Sequence, residues 1–104
     1  MSADLVTQCL RLVEPKCRVI GRQLVMSREH LAMSLSAIVT VGKKRLDDAI
    51  GKLPVVLPGW YDLRVIPAGL AALGTAVSEE TAVLWAKQVD LLAQRMAEQA
   101  VVAF

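Results

Sequence analysis

The fold is decided by the stretch SREHLAMSLSAIVTVGKKRLDDAIGKLP, which runs from Ser27 to Pro54. When its residues are placed at the roughly 100° spacing of a helix, the apolar side chains fall within roughly 120° of one another. The members of this stripe are Leu31, Leu35, Ile38, Val39, Leu46, Ala49, Ile50 and Leu53. Ser27 is a good N-cap and Pro54 stops a helix. The pattern therefore predicts one amphipathic core helix from Ser27 to Leu53.

The same stretch has a second reading as a DNA-binding helix-turn-helix. That motif needs a turn near residues 36–39, and a turn is expected to shift the angular phase of the apolar stripe. Because the phase runs unbroken through this point, we expect a core helix instead. Asp47 and Asp48 also weaken the positive field of the cations before them. The candidates for contact with a polyanion are Arg28, Lys43, Lys44 and Arg45.

Gly42 falls in the middle of the apolar stripe. A glycine inside a helix costs about 1 kcal/mol of stability relative to alanine. Close packing against a second helix offsets that cost, so the sequence predicts a close helix approach at Gly42.

A helix is also predicted at the N-terminus, from about Ala3 toward Met26. Its apolar face continues past Pro15, which removes one backbone hydrogen bond and clashes with the preceding turn. We therefore expect either one kinked helix or two short helices that meet near Glu14. A strand across residues 16–26 is the rival reading, because KCRVIGRQLVM is β-permissive. It lacks clean alternation, so the helical reading is preferred.

The last predicted helix starts near Ser78, carries Glu79 and Glu80 in its first turn, and runs almost to Phe104. Its main apolar stripe contains Trp85, Val89, Leu92, Ala93, Met96 and Ala100. A second apolar line lies on the far side of the helix and consists of Leu84, Leu91 and Val102. One stripe is enough to pack a helix into a bundle, so a second one favours a partner surface or a homodimer seam.

The segment between these helices is framed by prolines at positions 54, 58 and 67, which forbid a long helix. We expect residues 55–57 and 62–66 to be extended, with a turn at Pro58-Gly59, and a short helix over 68–73. Trp60 and Tyr61 stand in this segment. We expect Trp60 to cap the open end of the bundle and Tyr61 to be exposed. As interface anchors, both belong to the predicted partner-binding set.

Composition points to a single domain over residues 1–104 whose apolar content exceeds what one small core can hide. Hydrophobic residues make up 55% of the chain, so we expect an exposed apolar patch. Residues 1–64 carry ten Lys/Arg and six Asp/Glu, for +4, whereas residues 65–104 carry two and four, for −2. The predicted fold class is all-α, a small bundle of three long helices and a short fourth one. No signal peptide or membrane span is predicted, so we expect a cytoplasmic protein.

The sequence offers little catalytic chemistry. It has one histidine, His30, which we expect to be solvated, and two cysteines, Cys9 and Cys17, which we expect to be buried apolar side chains. No metal or cofactor motif is found, so we predict a non-enzymatic protein. The predicted function is binding to another protein as an adaptor, chaperone or inhibitor, together with self-association as a homodimer. The alternative is a DNA-binding regulator that uses residues 27–50, and a third class is a carrier of a small apolar ligand.

Overall fold

The computed structural model describes the backbone of residues 3–102 and the side chains of residues 4–99. In this range the chain forms five α-helices and one three-stranded antiparallel sheet, so the predicted all-α bundle of three long helices is wrong. The elements are α1 (Ala3–Val13), β1 (Arg18–Ile20), β2 (Gln23–Ser27), α2 (Arg28–Ile38), α3 (Lys43–Gly51), β3 (Trp60–Asp62), α4 (Ile66–Ala72) and α5 (Glu79–Val102), with 3-10 turns at Glu14–Lys16 and Leu63–Val65.

Strands β1 and β2 form a hairpin where the second half of the N-terminal helix was predicted. Helix α1 ends at Val13, because Pro15 disfavours a helical residue before it and cannot donate to the next turn. The hairpin turns at Gly21, whose φ of 61° is readily adopted only by glycine. The prediction of a helix reaching Met26 is therefore wrong, and the strand reading of residues 16–26 is the correct one.

Strand β3 completes the sheet by pairing with β2, so that Tyr61 lies opposite Met26 and Trp60 opposite Ser27. Successive side chains of a strand point to opposite faces of the sheet. Tyr61 consequently turns into the core and is only 5% exposed, so the prediction of an exposed Tyr61 is wrong. Trp60 lies half-buried on the outer face of the sheet rather than at the end of a bundle.

Helices α2 and α3 replace the single helix predicted from Ser27 to Leu53, which is also wrong. Three β-branched residues, Val39, Thr40 and Val41, follow α2, and such residues lose side-chain freedom in a helix. Val39 is extended, with φ −123° and ψ 125°. The apolar phase continued past the end of α2 because Val39, although extended, packs on the same core as the helices. An unbroken phase therefore did not require an unbroken helix.

The start of α2 is the one predicted from Ser27. The Ser27 Oγ accepts the His30 backbone N–H at 3.3 Å, as an N-cap should. The same hydroxyl lies 2.9 Å from Nδ1 of His30, whose ring is half-buried. His30 is therefore part of the cap and less solvated than predicted.

The close helix approach predicted at Gly42 is found at Gly69 instead. Gly42 is the N-cap of α3, and a Cβ added there would meet no atom within 4 Å. A Cβ added at Gly69 of α4 would lie 3.1 Å from Cδ1 of Leu35. The absence of a side chain at position 69 therefore lets α4 pack closely on Leu35 of α2.

The C-terminal elements agree with the sequence more closely, but the prediction of an extended segment over 62–66 is wrong, because Leu63–Val65 forms a 3-10 turn and α4 begins at Ile66. Helix α4 has Pro67 in its first turn, and Gly74 follows it with a φ of 87°. Helix α5 begins after Ser78, whose Oγ accepts the Thr81 N–H at 3.1 Å. On α5, Trp85 is buried and donates Nε1–H to the carbonyl of Leu63 at 2.8 Å. The main apolar stripe of α5 faces the core as predicted, except for Ala100, whose side chain lies outside the described residues.

Both cysteines are buried and free, as predicted. Burial raises the pKa of the Cys9 thiol to about 11, so this thiol stays protonated at neutral pH and behaves as a small apolar group. Among the described residues, no helix is both long and apolar enough to cross a bilayer.

Candidate nucleic-acid interface

Helices α2 and α3 form a compact unit on one side of the molecule. A connection of four residues, 39–42, joins the eleven residues of α2 to the nine of α3. Each helix buries one side: Leu31 and Leu35 in α2, and Leu46 and Ile50 in α3. The opposite side of each helix is left in solvent. Two short helices joined by a three- or four-residue turn that contains glycine are also found in the helix-turn-helix motif.

The outward side of α3 can be identified from its burial pattern. At helical spacing, Lys44, Asp48 and Gly51 lie opposite the buried residues, and all three are exposed. Lys43 and Asp47 flank this line on one side. The outward side of α3 (Lys43, Lys44, Asp47, Asp48 and Gly51) is called the α3 face below. It presents two lysines at its N-terminal end and two carboxylates, Asp47 and Asp48, after them.

The N-terminal end of α3 has a charge distribution that helix stability does not favour. Its N-cap, Gly42, offers no side-chain hydrogen bond, and its first turn contains no acidic residue. Lys43, Lys44 and Arg45 occupy that turn instead. The first backbone N–H groups of a helix carry partial positive charge, so cations there are unfavourable and anions are favourable. The arrangement is suited to an anion bound from outside.

Two of the four predicted polyanion contacts are engaged within the protein. Arg28 forms an ion pair with Asp47 at 3.4 Å, which links the start of α2 to α3. Arg45 donates to the carbonyl of Leu73 at 3.2 Å and so holds α3 against the end of α4. Among the described residues, the ammonium groups of Lys43 and Lys44 form no ion pair. Of the four predicted polyanion contacts, Lys43 and Lys44 are therefore the two that are most available to a ligand.

A second hairpin brings further groups to the start of α2. The Trp60 N–H donates to the Leu57 carbonyl at 2.8 Å, and Gly59 turns the chain with a φ of 80°. The Gly59 carbonyl accepts the Arg28 backbone N–H at 3.0 Å. The guanidinium of Arg18 lies over the Trp60 ring, 5.7 Å from its centroid. Trp60 and two arginines thus stand beside the α2–α3 unit.

The predicted partner-binding residues are not brought together. Trp60 is beside α2, whereas Leu84 and Leu91 are on α5. Leu91 is 51% exposed, and Leu84 is half-buried against the core. The Val102 side chain lies outside the described residues. Among the members of this set whose side chains are described, Leu91 is the most exposed. Tyr61 is buried in the core and is not accessible to a partner.

Other kinds of site find little support in the described part of the chain. No group of three or more His, Cys, Asp or Glu residues is placed to hold a metal ion there. The apolar cavity between α1, α4 and α5, which Cys9 and Trp85 help to line, measures about 10 Å³. A cavity of that size holds about one water molecule. It cannot hold the ligand of a small-molecule carrier.

Sequence reasoning missed Arg18 and Gly59, because both reach the site through strand pairing between distant segments. The proline-glycine pair at 58–59 was the available signal for the hairpin. Comparison with known proteins adds nothing to these geometric observations, since no protein-family model, no curated protein and no solved structure matches this chain.

Proposed function

We propose that this protein binds double-stranded DNA, with α2 and α3 acting as a helix-turn-helix. The observation that carries the proposal is the turn at residues 39–42, which gives α3 a free N-terminal end with Lys43 and Lys44 in its first turn. In helix-turn-helix proteins the second helix enters the major groove with its N-terminal residues toward the bases, and the first helix crosses the backbone. Here α3 takes the first role and α2 the second.

The order of the surrounding elements supports the proposal. Strand β2 leads directly into α2, and after α3 the chain returns through the Pro58-Gly59 hairpin to β3, beside β2. This order resembles that of a helix-turn-helix with a wing, in which the hairpin would correspond to the wing. A hairpin beside the start of α2 can approach the same DNA as α3. Arg18, which lies over the Trp60 ring, would then be close to phosphates.

The positive charge of the chain is concentrated in the segment that contains α2 and α3, as DNA binding requires. Residues 18–64 contain eight Lys/Arg and four Asp/Glu, for +4, and residues 65–104 contain two and four, for −2. Positive charge attracts DNA, and this excess supports the proposal, although Arg64 of the positive segment is paired with Asp90 of α5.

Self-association through α5 is a second proposal, and the half-exposed Leu91 favours it. A leucine in the middle of a 24-residue helix, away from the α3 face, is suited to a seam between two copies. Dimeric helix-turn-helix proteins place two second helices one turn of DNA apart. Binding to a client protein stays a prediction without a specific surface to support it.

The DNA proposal is tested by fluorescence anisotropy with a labelled random-sequence duplex. Replacing both Lys43 and Lys44 with glutamine removes the two free cations of α3 and leaves the Arg45–Leu73 hydrogen bond in place. Each lost phosphate contact lowers the salt slope of binding by nearly one unit. We expect affinity at low salt to fall by about tenfold or more and the slope to fall by about 1–2.

Lys87→Gln is the matched control, because it removes a cation from the exposed side of α5. The control should bind as the wild type does. Equal affinity of the wild type and the double variant, or no retention of DNA by the wild type at low salt, would contradict the proposal.

A further inference from the structure

We propose that α5 pairs with α5 of a second copy in an antiparallel orientation, with Glu80 of each chain beside Arg95 of the other. The inference rests on the proposed self-association and adds its orientation and register. Glu80, Leu84, Leu91 and Arg95 fall within about 60° of one another at helical spacing. This line of four residues, called the α5 seam below, lies on the side of α5 away from its buried stripe.

The members of the α5 seam are open to a partner. Leu91 is 51% exposed, and Leu84 is half-buried. Glu80 and Arg95 are both exposed, and among the described residues neither forms an ion pair. The seam therefore has an apolar centre, with a carboxylate at one end and a guanidinium at the other that the described chain does not neutralise.

The spacing along the α5 seam makes it self-complementary in one orientation. Glu80 precedes Leu84 by four residues, and Arg95 follows Leu91 by four. When two copies lie antiparallel with Leu84 of one against Leu91 of the other, Glu80 and Arg95 therefore meet at both ends. Such an interface is isologous, because each contact occurs twice about a twofold axis. It closes at two copies and leaves no seam open for a third.

A parallel pair is opposed by the same charges. It would place Glu80 beside Glu80 and Arg95 beside Arg95, and like charges repel. It would also align the two helix dipoles, whereas an antiparallel pair opposes them. In the antiparallel register the middle of the contact brings Lys87 against Gln88, whose amide oxygen can accept a hydrogen bond from the ammonium group. Charge therefore selects the antiparallel orientation.

Helix stability accounts for an acidic first turn but not for the rest of the pattern. The dipole favours Glu79 and Glu80 alike, yet only Glu80 lies on the α5 seam, because Glu79 is turned away by about 100°. Arg95 has Leu91 four residues before it and Gln99 four residues after it, so neither offers it an opposite charge. Glu79 is consequently a matched control position for Glu80.

The test is charge exchange, with the dimer dissociation constant of the full chain measured by sedimentation at low salt. Glu80→Arg and Arg95→Glu each replace both ion pairs of the homodimer with like-charge contacts. Each should therefore raise the dissociation constant about tenfold or more. An equal mixture of the two variants should restore pairing, because both ends of the heterodimer again join an arginine to a glutamate. The chain that carries both substitutions should pair as the wild type does.

Glu79→Arg is the control, because it reverses the neighbouring charge of the same turn away from the α5 seam and should leave the dissociation constant unchanged. If it weakens pairing as much as Glu80→Arg, or if the mixture pairs no more tightly than either variant alone, the antiparallel register is overturned. A wild type that is monomeric at every concentration overturns the register and self-association together. Duplex binding is measured separately, so each of these results leaves the DNA proposal standing. Circular dichroism of each variant excludes unfolding as the cause.

Discussion

Helices α3 and α5 begin in opposite ways. Helix α5 is capped by the hydroxyl of Ser78 and carries Glu79 and Glu80 in its first turn, as the helix dipole favours. Helix α3 starts at Gly42 without a capping side chain and carries three cations in that turn. The start of α5 is explained by folding stability alone. The start of α3 is not, and this difference supports the proposal that α3 contacts DNA.

The two helices also differ in what they leave exposed. The exposed side of α5 has an apolar residue, Leu91, whereas the α3 face has charged groups and Gly51. Apolar side chains in solvent are suited to a permanent protein contact, and cations to a polyanion. We therefore propose that copies pair through α5 and that α3 contacts DNA, and variants on each side can test this division.

The largest expected effect separates two neighbouring leucines of α5. Leu92 is 3% exposed and packs in the core, so Leu92→Glu should lower the free energy of unfolding by at least about 3 kcal/mol. Leu91→Glu should leave far-UV helicity unchanged and convert a dimer to a monomer in light scattering. A wild type that stays monomeric at high concentration would refute the assignment of α5 to pairing.

A second variant pair tests how the α2–α3 unit is held against α4. Gly69→Leu should destabilise the protein by about 1–3 kcal/mol, because its side chain would overlap with the buried Leu35. Gly42→Leu meets no neighbouring atom and should change stability by less than about 1 kcal/mol through the weaker N-cap. Chemical denaturation measures both. A larger loss at position 42 than at 69 would show that α2 and α3 pack differently.

The smallest expected effect concerns the ion pair between α2 and α3. Asp47→Asn breaks an exposed pair with Arg28, so the free energy of unfolding should fall by only about 0–1 kcal/mol. The freed arginine should strengthen binding to a duplex at low salt, because one acidic group is lost beside the phosphates. Weaker DNA binding by this variant would mean that Asp47 itself contacts the DNA or holds Arg28 in position for it.

The sequence predicted those elements whose signals are local. The start of α2 at Ser27, the short helix after Pro67 and the main stripe of α5 all follow from caps, prolines and periodicity within a few residues. The sheet was missed because β2 gains β3 only from a distant segment. The break before Gly42 was missed because residues of the connection pack on the same core as both helices, which preserves the apolar phase.

The candidate site was predictable only in part. The lysines at 43 and 44 were identified as possible polyanion contacts from their sequence alone. Their position at the start of a helix depends on the turn at residues 39–42. The regular spacing of the apolar residues gave no sign of that turn. Tyr61 was assigned to the wrong side because the register of β3 decides which of two adjacent aromatic residues is buried, and one residue of shift exchanges them.

The most direct test of the α3 assignment is a titration of the ¹⁵N-labelled protein with a short DNA duplex, followed by amide chemical shifts. We expect the largest shifts at the first turn of α3, at Arg28 and at Gly59, with the amides of α5 near Leu91 unchanged at a fixed oligomeric state. Shifts confined to α5, or no shifts at low salt and saturating duplex, would contradict the assignment of α2 and α3 to DNA.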